Sequence, residues 1–182
     1  ILNEANFIGA NLRKTNLSEL NLSNLDMSFA DLTSSNLERS NLRGSNMTAV
    51  YANKANFSSA NLIGTNLSRV RLINADLTKA NLTGANLASA FLDNANFSGA
   101  NLRDVNFELA SLDEVNFLGA NLRKTNLSGL DLIGLNLSFT NLAESNLEKT
   151  NLRGSNISSA YANGANLSSA NLAGANLSNT NL

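Results

Sequence analysis

Large apolar residues recur along this chain at every fifth position, from Leu2 to Leu182, with no insertion or deletion. Of the 37 sites in that phase, 27 are Leu, 5 Phe, 2 Met, 1 Ile and 2 Ala. Two residues earlier stand small side chains: among 36 sites, 17 are Ala, 6 Thr and 5 Ser, the others Val and Leu. Directly before the large residue, here called the centre, 31 of 37 sites hold Asn or Asp. The unit is thus small-Asn-Leu-x-x, as in Ala85-Asn86-Leu87-Ala88-Ser89. A period of five fits neither an α-helix nor a plain strand. It suits an all-β coil in which each five-residue edge sends two side chains inward and three outward.

The glycines test that reading independently. All 11 fall two residues after a centre, where random placement would scatter them over five phases. If the centre opens a four-residue turn, that phase is its third residue, where a type II turn needs positive φ and selects Gly, then Asn. Asn24, Asn74, Asn94 and Asn179 share it. Lys14 and Phe29 also occupy it, which leads us to expect a different turn at some corners.

With these residues in view, the chain resembles the pentapeptide-repeat family, whose motif A(D/N)LXX it repeats from end to end. The resemblance implies a right-handed quadrilateral β-helix, a solenoid with four pentapeptides per coil. Residues 1–182 would then form a single domain of about nine coils without a linker, a rod roughly 43 Å long at the usual strand spacing. Centres would stack into a dry core, and Asn columns could run as amide ladders along the rod.

Residues 8–72 align with 118–182 without a gap, 41 of 65 positions matching. The offset of 110 residues is five and a half coils, so the two copies would present matching patches on opposite sides. Phe29 and Phe139 are the candidate matched contacts of a bivalent binder, although plain duplication explains the pattern as well. The pairs Leu20/Leu25 and Leu130/Leu135 occupy normally small corners and read as core packing.

Six sites break the Asn/Asp rule: Ile1, Tyr51, Arg71, Phe91, Ser111 and Tyr161. Four of these are 20 residues apart, one coil, so Tyr51, Arg71, Phe91 and Ser111 should stack on one side, with Asp31 and Asp131 at the ends of the column. Tyr51, Arg71 and Phe91 are the candidate partner-binding residues, because exposed aromatic and Arg side chains are enriched at interfaces. A cross-strand ladder replacing the Asn ladder is the competing explanation. Tyr161 stands alone between Asn141 and Asn181. Ala52 and Ala162 should thin the core locally, with Val50 refilling part of the first gap.

Composition narrows the function classes. The net charge of −1, from 13 basic and 14 acidic residues, favours neither nucleic acid nor a polyanionic surface. Charge is uneven, however: 39–79 carries six cations against Asp76, and 93–114 five carboxylates against Arg103. Without His or Cys the chain lacks the usual near-neutral base, thiolate nucleophile and transition-metal ligands. We therefore expect no catalysis, no cofactor and no metal site. No apolar run is long enough to span a membrane.

The leading expectation is a bacterial, cytoplasmic, non-enzymatic scaffold that offers rigid flat faces to an unidentified protein partner. The alternative drawn from the resemblance is a DNA-mimicking binder of DNA gyrase, of the kind that protects against quinolones. Weak negative charge and the absence of a loop inserted into the register speak against it. A start and a stop in mid-repeat suggest part of a longer chain, or end-to-end self-association.

Overall fold

The structure, a computed structural model, describes residues 6–182, and Ile1 lies outside them. Parallel bridges pair the Asn-phase residues with those 20 residues on, from Asn11 with Asp31 to Tyr161 with Asn181, with Ser111 and Asp131 the exception. One turn of the solenoid is therefore four pentapeptides, and the described chain contains no helix. The repeat closes into the expected right-handed, four-sided β-helix.

Five amides per repeat find five acceptors, and this explains the motif. The centre amide donates to the Asn-phase carbonyl of the next coil, as Leu12 does to Asp31 at 2.8 Å. Two residues on, Lys14 donates to Thr33 of the next coil at 3.0 Å, and Asp31 donates back to Ala10 at 2.9 Å. The small-phase amide closes the turn on the centre carbonyl, as in Thr15 to Leu12 at 3.3 Å. The fifth amide, just after the centre, has no backbone partner and bonds the Asn side chain instead, as in Ser58 to the Asn56 Oδ1 at 2.9 Å. Asn thus does two jobs. Its oxygen satisfies a local amide in an Asx turn, and its Nδ2 reaches the coil below, as in Asn56 to Asn36 at 3.1 Å and Asn121 to Asn101 at 3.2 Å.

Centres fill the interior: Leu22, Leu62, Leu82 and Leu102 are wholly buried. Small-phase residues sit beneath the corners, where bulk would push coils apart. Buried hydroxyls in this phase, that of Ser45 excepted, return their proton to a centre carbonyl, as Ser40 does to Leu37 at 2.7 Å. Ala52 and Ala162 are buried centres, and Val50 beside Ala52 is fully buried as well.

The expectation of different turns at Lys14 and Phe29 is corrected. Every corner from Gly9 to Asn179 has positive φ in this phase: 63–72° for Gly and 53–61° for other residues, with Lys14 at 55° and Phe29 at 61°. The amide of most such residues is tied to the adjacent coil. Where it is not, as at Leu109 and Glu114, the turn-closing bond of the next amide holds the corner, as in Ala110 to Phe107 at 2.9 Å. The backbone bonding thus fixes the conformation whatever the side chain. The strain, on the order of 1–2 kcal/mol per non-Gly residue, is offset by that bonding.

Core packing holds for only part of the Leu corners. Leu25 and Leu135 are buried and Leu130 is half-buried, but Leu20 is 38% exposed. The cost of the second pair is visible in the ladder. Between residues 105–117 and 126–136 the inter-coil bonds are weakened: the bridges Asn106 with Asn126 and Asn116 with Asn136 persist, and that of Ser111 with Asp131 is lost. Phe107, Leu109, Leu112, Glu114 and Phe117 find no backbone acceptor above, nor do Asn126, Asp131 and Asn136 below. From Leu12 onward no other pair of neighbouring coils loses these contacts.

Candidate functional site

The side that carries Tyr51 is built as its sequence spacing requires. Bridges run Asp31 to Tyr51, Tyr51 to Arg71, Arg71 to Phe91 and Phe91 to Ser111. Being in the Asn phase, these side chains point outward, and Tyr51 and Phe91 are 50% and 42% exposed. The Arg71 guanidinium lies over the Phe91 ring, 5.0 Å from its centroid. Such a contact at an exposed position is worth about 0.5–1 kcal/mol and holds both side chains in one arrangement.

Departing from Asn removes the side-chain acceptor for the amide two residues on. The structure repairs one of these losses: the Ile73 amide bonds Asn53 Oδ1 from the coil below at 3.1 Å. At the upper end the Ser111 hydroxyl donates to the Asp93 carboxylate. At the lower end Arg13 pairs with Asp31 at 3.0 Å. Asp131, the expected upper end of the column, is not stacked on Ser111: no bridge joins them, because Leu130 and Leu135 hold that coil away. A slot of about 420 Å³ opens there, lined among others by Ser111, Leu112, Asp113, Asp131, Ile133 and Leu135.

Charge divides this side of the rod. Below Phe91, Lys54 and Arg69 stand exposed at the flanking corners beside Arg71, and none of the three joins an ion pair among the described residues. Above it lie Asp93, Asp113, Glu114 and Asp131, likewise outside any ion pair. Some charges elsewhere are paired, as where Arg123 and Lys124 both reach Glu144, while others such as Arg43 and Arg153 join no ion pair among the described residues. Among the described residues no cluster of acidic side chains is arranged to hold a metal ion, and no helix is long and apolar enough to cross a membrane.

Slight burial pushes the Asp31 carboxyl pKa up, but bonds from Thr33 and the Arg13 guanidinium outweigh it and hold the group below its ordinary value. At Asp26 the Ser28 hydroxyl and amide lower it in the same way. Both folded pKa values are depressed, so the stability they contribute is present above the unfolded carboxylate value and lost as pH falls through the folded one. Stability should therefore be level from neutrality to about pH 5 and decline below about pH 4. Urea unfolding followed from pH 7 to 2 measures this, and Asp31→Asn should flatten part of the acid slope.

Tyr161, the duplicate of Tyr51, is 62% exposed but bridged to Asn141 and Asn181, with no aromatic or cationic neighbour in its column. Phe29 and Phe139 are exposed at 60% and 64%, and each is joined by a second exposed apolar residue that sequence reasoning missed: Ile8 with the first, Leu118 with the second. The duplicate offset of 110 relates Ile8 to Leu118, which is the signal that could have found the pair.

Comparison with known proteins bears on the fold. None of the curated proteins compared with the chain matches it. The crystal structure of HetL, a pentapeptide repeat protein involved in heterocyst differentiation regulation in the cyanobacterium Nostoc, is similar at 28% identity. That match has a TM-score of 0.65 and covers 99% of this chain and 90% of HetL. A structure of QnrB1, a plasmid-mediated fluoroquinolone resistance protein, is similar in fold alone: 18% identity, TM-score 0.64, 91% and 83% of the two chains covered. The family model for pentapeptide repeats matches in eight overlapping copies from residues 1–39 to 151–182. The chain belongs to the pentapeptide-repeat family.

Proposed function

We propose that this protein is a non-enzymatic scaffold that holds a protein partner on the side carrying Tyr51, Arg71 and Phe91. The observation behind this is the stacked strip of aromatic, guanidinium and aromatic, its two aromatic residues exposed and Arg71 half-buried, flanked by the unpaired cations Lys54 and Arg69. A strip of this kind brings rigid amphipathic area already ordered by the coil stack, so little entropy is lost on binding. The partner chemistry it suits is an apolar patch edged with carboxylates, drawn to the cationic coils and repelled by Asp113 and Asp131. A gyrase-directed DNA mimic has less behind it, since duplex mimicry calls for an acidic rod and half of this side is cationic.

Affinity capture from lysate of the native host tests the proposal. Wild type is compared with the triple variant Tyr51→Asn, Arg71→Asn, Phe91→Asn, which restores the repeat. A protein retained by wild type and lost by the variant is the expected result. Identical captured sets would count against the strip as a binding surface.

A further inference from the structure

We propose that the open seam between residues 105–117 and 126–136 is a hinge on which the two halves of the rod swing. The pattern of lost bonds has the shape of a wedge. On the side of Ser111 and Asp131 both the amide bonds and the bridge are gone. On the two adjacent sides, Asn106 with Asn126 and Asn116 with Asn136 remain paired, but the centre-phase bonds of Phe107 and Phe117 are missing. The side opposite the mouth is intact, with Leu102 to Asn121 at 2.8 Å, Leu122 to Asn141 at 2.8 Å and Asn141 to Ala120 at 3.0 Å. A stack that is parted on one side and bonded on the other has its axis along the bonded side.

The cause is local bulk. Leu130 and Leu135 stand directly over Ala110 and Val115 in a phase where Ala, Ser or Thr is usual. Below them the interior is already full: Phe117 stacks on Phe97 with centroids 5.7 Å apart and meets Phe107 edge-on at 6.1 Å. Neither coil can settle further without overpacking. The unpaired Asp113 and Asp131 carboxylates at the mouth oppose closure as well. The coil with Leu130 and Leu135 duplicates the one with Leu20 and Leu25, so the seam lies close to where the second copy begins, at residue 118.

Elsewhere, swinging one coil away from the next would break its full set of inter-coil bonds. Here they are lost on the Ser111 side and reduced to one weakened bridge on each adjacent side, and a slot of about 420 Å³ admits water to the freed groups. The seam is thus the soft joint of the rod. Its motion changes the angle between the Tyr51 strip below and Phe139 and Tyr161 above.

Two measurements on the full chain test this. Amides of Leu112, Glu114 and Asp131 should exchange about 100-fold or more faster than those of Leu92, Asn94 and Leu152, which are bonded. Spin labels at Asn94→Cys and Arg153→Cys, spanning the seam, should give a distance distribution about twice as wide as labels at Ser34→Cys and Asn94→Cys within one half. Leu130→Ala with Leu135→Ala should narrow the spanning distribution. Equal protection across the seam, or fast exchange with equally narrow distributions, would overturn the hinge. If the double variant does not fold, the two wild-type label pairs decide the matter.

Discussion

Replacing Phe117 by Ala is expected to destabilise the protein by about 3–5 kcal/mol, more than any surface change on the rod. Phe117 is 1% exposed, stacked on Phe97 and edge-on to Phe107. Its loss removes the link between two aromatic contacts and leaves a cavity that cannot collapse onto neighbours held in register. Because coils contact only their neighbours, the damage should begin locally and spread from that coil. Phe117 also lies at the seam, where its own amide has no close bond to the coil above, so the coil is held mainly by its ladder to the coil below once the ring is gone. Urea unfolding followed by circular dichroism measures the effect. A loss below about 1 kcal/mol would mean that the coil tolerates the cavity by closing the seam.

Much of the fold was legible because the repeat is strict. The five-residue period, the Gly phase and the 20-residue spacing of Tyr51, Arg71 and Phe91 follow from counting, and the structure places those three side chains in one column. Three features were not legible. Gly and Asn preference at the corners hid the fact that Lys14 and Phe29 adopt the same positive φ, since backbone bonding at the corner, not the side chain, sets it. The amide arithmetic of Asn needed the closed coil to be seen, because the residue after the centre loses its backbone partner only there. Bulk at Leu130 and Leu135 looked like core packing one residue at a time, yet its effect is a mismatch between whole coils. The sequence signal was present in four Leu breaking the small phase, but their consequence depends on the Phe-rich coil beneath.

The second large effect concerns the strip. As hot spots, Tyr51, Arg71 and Phe91 would each contribute about 2 kcal/mol or more to binding, so the triple Asn variant should lose affinity by well over 100-fold. The same change should leave the fold intact. The new Asn at 51 and 91 supply an Oδ1 for the amides of Asn53 and Asp93, that of Ile73 being bonded to Asn53 already, and each adds a rung for the ladder, about 0.5–1.5 kcal/mol per bond. Lost in exchange is the contact between Arg71 and Phe91, about 0.5–1 kcal/mol.

Binding surface and stabilising ladder therefore predict opposite signs of stability change. The most direct measurement is the unfolding free energy of Tyr51→Asn, Arg71→Asn, Phe91→Asn beside wild type, by urea titration under identical conditions. A variant as stable as wild type or more stable is the predicted result, since a strip that does not hold the rod together must be kept for what it touches. A variant weaker by about 2 kcal/mol or more would contradict the account, making the strip a ladder that serves the fold.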